Sequence, residues 1–417
     1  MKQDLISFFE NSKTPFHCVD YTKRLLIESG YEELLESKPW EHIPNKFFVI
    51  REGASLIAGN ISNLDFGVIC NAHCDFPALR ARFSSNFSCE NIQGVELYQH
   101  GGGMWYSWVD RDLKIAGRVF VHKNGGIEVK LVESKEAVAF IPTVSSRLNP
   151  SFSLKPVFDF DNHIIAITGM KNETETTTIF MRILAELCEC EPSDIINFDI
   201  NFVDAQPPAP LGFDEDILCA QGIDDLSCAY STVRAFLEAK DPIKGSYFMG
   251  LFDNEEIGSN NLTGGKSNFM QSVFARLKCS KEFLRNSYMI SADVAHGISP
   301  NYYDVKEELN SAHLGDGVFF TWNQNMLMAT ESSSLTFPRI LAQEFGIKFS
   351  SFCISNSQRS GSTIGPQMST NLGMKTIDMG VPVASMHSIR ETASFFDVFE
   401  LTRLIRVIFE NYLRFIK

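Results

Sequence analysis

The chain has 417 residues, 44% of them hydrophobic, and a formal net charge of -14. That length exceeds one ordinary core and predicts two globular domains, while the acidity leaves no basic stripe to displace phosphate counterions, so no nucleic-acid partner is expected. Ten scattered cysteines without a CxxC pair argue against thiolate-held structural zinc and against a disulfide framework. No apolar run reaches the ~18 residues of a membrane helix, and Asp4 and Glu10 interrupt the apolar start where a secretory signal would lie, so no membrane partner and a cytoplasmic location are expected.

In chain order, Leu5, Ile6, Phe8 and Phe9 predict a short amphipathic helix closed by SKTP, and a second helix runs from about Val19 to Ser29 before Gly30. Phe47 to Arg51, Ser55 to Ala58 and Phe66 to Cys70 read as strands, the last leading into NAHCDFPALR, so that His73 sits at a strand tip. From Phe76 to Pro210 the texture changes: a glycine run at Gly101 to Gly103, alternating segments at Gly117 to His122 and Ile127 to Val132, and one helix from Thr176 to Leu187. Pro207, Pro208 and Pro210 mark a stiff return, after which Asp224 and Asp225 precede a helix through Tyr230, Val233 and Phe236. Ser246 to Phe252, Ser287 to Ser291 and Thr376 to Met379 are apolar enough for buried strands alternating with helices, and Val398 to Phe415 closes the chain as an amphipathic helix. The expected organisation is an α/β domain of residues 1–75 and 211–417, interrupted by a separate domain of residues 76–210.

Five segments place a potential metal ligand at or near a predicted strand end: His73 in AHCDFP, Asp224 in GIDDLS, Glu256 in DNEEIG, Asp293 in SADVAH and His387 in SMHSIRE. Strand ends are where α/β sheets hold ligands. Taken singly, each is more often an ordinary polar residue, cap or turn; together, two histidines and three carboxylates suit a pair of borderline divalent ions, zinc first, with cobalt or manganese as alternatives. Asp75, two residues after His73, faces the same side of an extended segment and is placed to hold the imidazole's other nitrogen.

AHCDFPALR, GIDDLS, FDNEEIGS, SADVAHGISPNY, and GSTIGP with DMGVPVASMHSIRE resemble, in order, the motifs of the aspartyl aminopeptidase family of dinuclear zinc exopeptidases, as do KTPFHCVDYTKRLL, REGASLIAG and GGGMWYSWVDRDLKIAGRV. The resemblance implies an α/β fold: a mixed-sheet zinc-peptidase catalytic domain, phosphorylase/hydrolase-like, with an inserted, mainly β oligomerisation domain that builds a homo-oligomer, a dodecamer. It implies two Zn2+ per subunit, His73 and Asp293 on one, Glu256 and His387 on the other, and Asp224 bridging. Glu255 is then the general base, and Asp225 either supports the ligands or is a helix-start carboxylate, at a position where the family more often has asparagine. Two cations ~3.5 to 4 Å apart activate a water, polarise the scissile carbonyl and anchor the peptide's free amine, while Glu255 moves the proton. His296 resembles a pocket-lining histidine, and Gly361, Ser362 and Thr363 offer backbone donors to the peptide substrate.

The chain departs from the family pattern where an acidic first side chain is read. A lysine of a VIK-like strand is matched by Thr321, a following tyrosine by Met328, a KHE triplet by Val305, Lys306 and Glu307, and a histidine of the inserted domain by Arg147. Losing a cation and a hydroxyl removes partners that a buried substrate carboxylate requires, so neutral or apolar first residues are expected, although Arg147 is a possible replacement charge. The alternatives are an acid-specific aminopeptidase, a hydrolase of another amide, and a non-catalytic scaffold or peptide-binding protein of the same fold.

Overall fold

A computed structural model describes residues 1–85, 87–152, 155–172, 177–305, 310–323, 325–354 and 361–416. Thr176, Lys306 and Glu307 lie outside the described residues. The chain divides into two compact units, one of Met1–Asp75, Pro208–Met386 and Glu391–Lys417, the other of Phe76–Pro207 and His387–Arg390.

The first unit is built on a nine-stranded sheet ordered Glu32–Glu33, Lys46–Arg51, Ser55–Ile61, Ser246–Phe252, Gly67–His73, Tyr288–Ala292, Lys375–Gly380, Val318–Trp322 and Phe349–Cys353. Its four middle strands, from Ser246–Phe252 to Lys375–Gly380, run parallel, while antiparallel neighbours flank them. Parallel strands are covered on both faces and therefore read as continuous apolar runs; every residue of Gly67–His73, Ser246–Phe252 and Tyr288–Ala292 is buried. Phe248, Phe252, Phe269, Phe274 and Phe283 pack in one core cluster with Ile69, Met289 and Ile364. Each full burial of such a side chain stabilises by about 1.5–3 kcal/mol, enough to hold the strand ends that carry the chemistry. A second, five-stranded sheet pairs Ala209–Leu211, Ile217–Ala220, Glu391–Ser394, Pro382–Ala384 and Ala295–His296.

The helices show where local chemistry outweighs periodicity. Pro15–Glu28 begins four residues before the expected Val19, because Thr14 caps it by accepting from the His17 amide and Pro15 occupies the first helical position. A proline there costs no hydrogen bond, so the Thr-Pro pair is a start signal rather than a stop. Phe395–Asn411 likewise starts at the Ser394 cap and passes into a 3-10 turn at Tyr412–Phe415.

The second unit is a ring of strands: Ala139–Phe140, Ile165–Met170, Ile92–His100, Ala78–Ala81, Ile195–Asp204 and Asp112–Lys123, closed by pairing of Asp112–Lys123 back onto Ala139–Phe140. Phe180 and Leu184, on the Ile179–Cys188 helix, join Val95, Leu97, Trp108, Ile115, Val119, Ile200 and Phe202 in its core. Among the described residues Gly126–Glu133 pairs only with Asp112–Lys123 and forms an edge.

Candidate metal centre

Three neighbouring parallel strands deliver their carboxyl ends to one edge of the large sheet. His73 is the last residue of Gly67–His73 and lies in register with Phe252, after which the chain turns through Asp253 to Glu256; Asp293 directly follows Tyr288–Ala292. Asp224 comes from the start of the helix Ile223–Glu238, where Asp224 and Asp225 have non-helical dihedrals, their shared peptide is cis, and Gly222 is left-handed. The Asp224 amide donates to Glu391 Oε2 at 3.0 Å, so a buried carboxylate of the smaller sheet anchors the backbone of this candidate ligand.

His73 Nδ1 lies 2.9 Å from the Asp75 carbonyl oxygen. With the proton on that nitrogen, the Nε2 lone pair points towards Asp224 Oδ1 at 3.2 Å and Asp293 Oδ1 at 3.8 Å. His73, Asp224 and Asp293 each present a ligand atom within 4.8 Å of the others, and all three are buried. A lone pair facing two carboxylates is repulsive unless a positive charge sits between them, and one imidazole with two carboxylates is a donor set that zinc accepts. The residues fit the cation.

The surrounding charge points the same way. Burial alone would depress His73, but hydrogen bonding to Asp224, Asp293 and Asp75 overrides it and raises the imidazole well above its ordinary value. Burial, followed by the charge of Asp293, pushes Asp225 well up, and burial followed by the charge of Asp224 does the same to Glu256. Burial lifts Asp293 to about 6, against the pull of His73. Glu255 is raised to about 8, first by burial; His73 opposes this and Asp293, Asp75 and Asp224 reinforce it. A dry cluster this rich in carboxyl groups is a site for cations.

The Glu255–Glu256 turn is held by its backbone. Asn254 adopts a left-handed conformation, the Glu255 amide donates to Asp75 Oδ1 at 2.9 Å and the Glu256 amide to Asp75 Oδ2 at 3.3 Å. Asp75 therefore divides its work differently from the sequence expectation. Its carbonyl makes the shorter contact with His73, its carboxylate lies 3.4 Å from the same nitrogen, and both carboxylate oxygens accept from the turn.

The remaining expected residues are distributed as follows. His296 is exposed on the two-residue strand paired with Pro382–Ala384. Thr321 is buried in Val318–Trp322 and lines a cavity of about 490 Å³ with Phe320, Ser332, Arg339 and Ser351. Met328 is half-buried in the loop before Ser332–Glu344. Gly361 is exposed, and Thr363 caps the helix Ile364–Leu372 by accepting from the Gly365 amide. His387 belongs to the segment that groups with the second unit, in a left-handed conformation, with Nδ1 3.0 Å from the carbonyl oxygen of Gly102 in the glycine run. Arg147 is exposed in the same unit. Sequence reasoning missed Asp378 and Glu391. For Asp378 the signal was a lone acid between Ile377 and Met379 in a strand, which has to be hydrogen-bonded if it is buried; Glu391, at the start of the polar segment ETAS, carried no such signal.

Residues 8–409 match the family model described as Aminopeptidase I zinc metalloprotease (M18). The chain belongs to the M18 aminopeptidase family. It is 30% identical to aspartyl aminopeptidase 4 of Saccharomyces cerevisiae, over 98% of this chain and 94% of that protein. Among solved structures, a chain of the Ape4 and Nbr1 complex superposes with a TM-score of 0.95 at 28% identity, covering 99% of this chain and 86% of that one. The Saccharomyces cerevisiae mApe1 dodecamer superposes with a TM-score of 0.85 at 25% identity, covering 98% and 95%. This M18 protein is a zinc-dependent aminopeptidase, a hydrolase, on an α/β fold.

Proposed function

We propose that this M18 aminopeptidase holds two zinc ions per subunit and removes neutral or apolar N-terminal residues from peptides. The observation that carries the metal chemistry is His73 Nε2 facing Asp224 and Asp293 from inside a buried acidic cluster. In this reading His73 and Asp293 hold one ion, Glu256 and His387 the other, and Asp224 bridges; cobalt or manganese would suit the same donors. Zinc, when bound, polarises the scissile carbonyl, acidifies water and anchors the free amine. Glu255 takes the proton of the attacking water and returns it to the leaving amide nitrogen, a task open to a carboxylate beside the cluster that is not itself spent as a ligand. Asp75 orients both His73 and the turn that carries Glu255. His296, Gly361 and Thr363 line the peptide's path, and Thr321 and Met328 shape the pocket for its first side chain.

The neutral preference rests on Thr321 and Met328 standing where the family has a lysine and a tyrosine. An acid-preferring reading is favoured by the name of the yeast relative and by Arg339, which lines the cavity that Thr321 also lines. Leucyl and aspartyl p-nitroanilides assayed side by side with zinc should give the larger kcat/KM for leucine, by about tenfold or more if a buried substrate carboxylate lacks a partner. A clear aspartyl preference that disappears in Arg339→Ala would establish the other reading.

The second unit is assigned to homo-oligomerisation. Ile127, Val129 and Leu131 alternate along its edge strand and are 69%, 53% and 40% exposed, an apolar row on an unpaired edge that invites a second copy. The related mApe1 structure is a dodecamer, and the same assembly is proposed here. Light scattering should find a large closed oligomer for the native chain and smaller species for Val129→Lys. A cytoplasmic location accords with ten scattered cysteines that form no CxxC pair. Among the described residues no helix is long and apolar enough to cross a membrane.

A further inference from the structure

One layer beneath the metal ligands, the large sheet carries a buried polar row. Asn71 pairs with Ser291, and Ser291 with Asp378, on adjacent parallel strands. His73, Asp293 and Gly380 each lie two residues further along those strands, and residues two apart share a face. Asp378 is 1% exposed, and its carboxylate is spent on two segments that come from elsewhere in the chain. Oδ1 accepts from the Thr363 hydroxyl at 2.6 Å, and Oδ2 from the Ala329 amide at 2.5 Å. The backbone of Asp378 adds to the second grip: its amide donates to Thr330 Oγ1 at 2.9 Å, and that hydroxyl lies 3.4 Å from its carbonyl oxygen. The two segments also touch each other, Ser362 Oγ donating to the Leu327 carbonyl at 3.0 Å. A Cβ on Gly365 would lie 2.6 Å from Asp378 Oδ1, so the close approach of the helix start to this carboxylate depends on glycine.

We propose that Asp378 is a positioning residue for substrate specificity: it clamps the Leu327–Thr330 loop and the Gly361–Thr363 segment together, and so fixes Met328 and the peptide-facing donors relative to the strand neighbouring Asp293. The proposal rests on the reading above that Met328 and Gly361–Thr363 meet the peptide. The clamp is placed to do this because Met328 stands between two residues whose backbone groups are both held, Leu327 through Ser362 and Ala329 through Asp378. A buried carboxylate between two loops fixes them more firmly than water would, since each contact is short and charge-assisted, and a displacement of about 1 Å in such a segment is enough to cost a large factor in catalysis.

Thr363→Val removes one arm of the clamp, Thr363→Ser restores it, and Asp378→Asn weakens the carboxylate while preserving its shape. Each is assayed for KM and kcat on leucyl p-nitroanilide, for zinc content and for urea midpoint, beside Met328→Ala. Thr363→Val should raise KM by about tenfold, by more than it lowers kcat, with zinc content unchanged and KM recovered in Thr363→Ser. Asp378→Asn should move KM in the same direction, which keeps the test open if the valine variant folds poorly. An unchanged KM in Thr363→Val and Asp378→Asn beside a raised KM in Met328→Ala overturns the clamp and leaves the pocket reading standing. If none of the three moves KM, the pocket reading fails and the clamp with it. A fall in zinc content with KM unchanged assigns Asp378 to the metal centre instead and also overturns the proposal.

Discussion

Glu255→Gln should reduce kcat by about 10² to 10⁴, a rise of about 2.7–5.5 kcal/mol in the barrier, while zinc content and fold are retained. The turn that carries residue 255 is held through the amides of Glu255 and Glu256 on Asp75, and glutamine leaves those amides in place. What disappears is the ability to take a proton. A carboxyl whose folded pKa is raised contributes a cost that grows as pH climbs from its ordinary value to the raised one, here from 4.5 to about 8. The neutral amide removes that cost, so the urea midpoint of metal-free Glu255→Gln at pH 7.5 should equal or exceed that of the parent. The informative comparison is Glu256→Gln, which should lose bound zinc as well as turnover. Retention of more than a tenth of kcat by Glu255→Gln would exclude the residue as the base.

That prediction depends on telling adjacent carboxyls apart, and the sequence supports the distinction only in part. The meeting of His73 and Asp293 is legible because apolar strands that run parallel and side by side end at one edge, where α/β sheets hold ligands; Asp224 comes instead from a helix start that follows a strand of the smaller sheet, and only the resemblance of its motif brings it to the same place. The large sheet and the core helices are legible for a related reason, since continuous apolar runs and capped amphipathic repeats serve one structure each. What the sequence hides are contacts made by backbone. The Asp75 carboxylate accepts from two amides that lie 180 and 181 residues away, Glu391 accepts from the Asp224 amide, 167 residues away, and the His387 ring meets a carbonyl of the glycine run. No pattern of side-chain types announces an amide as a partner. The start of the Pro15–Glu28 helix is hidden for a different reason, because Thr-Pro is both a turn signal and a helix cap, and only the following apolar face decides between them.

Gly380→Ala is the second large effect, and it separates metal binding from protonation. Gly380 closes the strand Lys375–Gly380 beside the start of the Asp293 loop, whose amide donates to Met379 O at 3.1 Å. A Cβ at Gly380 would stand 1.9 Å from the Asp293 carbonyl oxygen, 2.7 Å from the carbonyl carbon and 3.3 Å from Cys228 Sγ. The first two are backbone atoms tied to the sheet, so the strain cannot be relieved by turning a side chain, and the loop must move as a unit. The Asp293 carboxylate moves with it, out of reach of His73 and Asp224. Zinc affinity should fall by about 10–100-fold, the range found when the groups that orient a metal ligand are disturbed, and turnover at limiting zinc should fall with it. Gly126→Ala, whose new Cβ would meet nothing closer than the Lys123 carbonyl oxygen at 3.8 Å, should leave zinc affinity unaltered. Turnover of Gly380→Ala should recover partly as zinc is raised, whereas Glu255→Gln should keep its lowered kcat at every zinc concentration. An alanine variant that binds zinc as tightly as the parent would show that Asp293 does not depend on this close approach to the strand, and that its carboxylate reaches the cluster by a route the backbone leaves open.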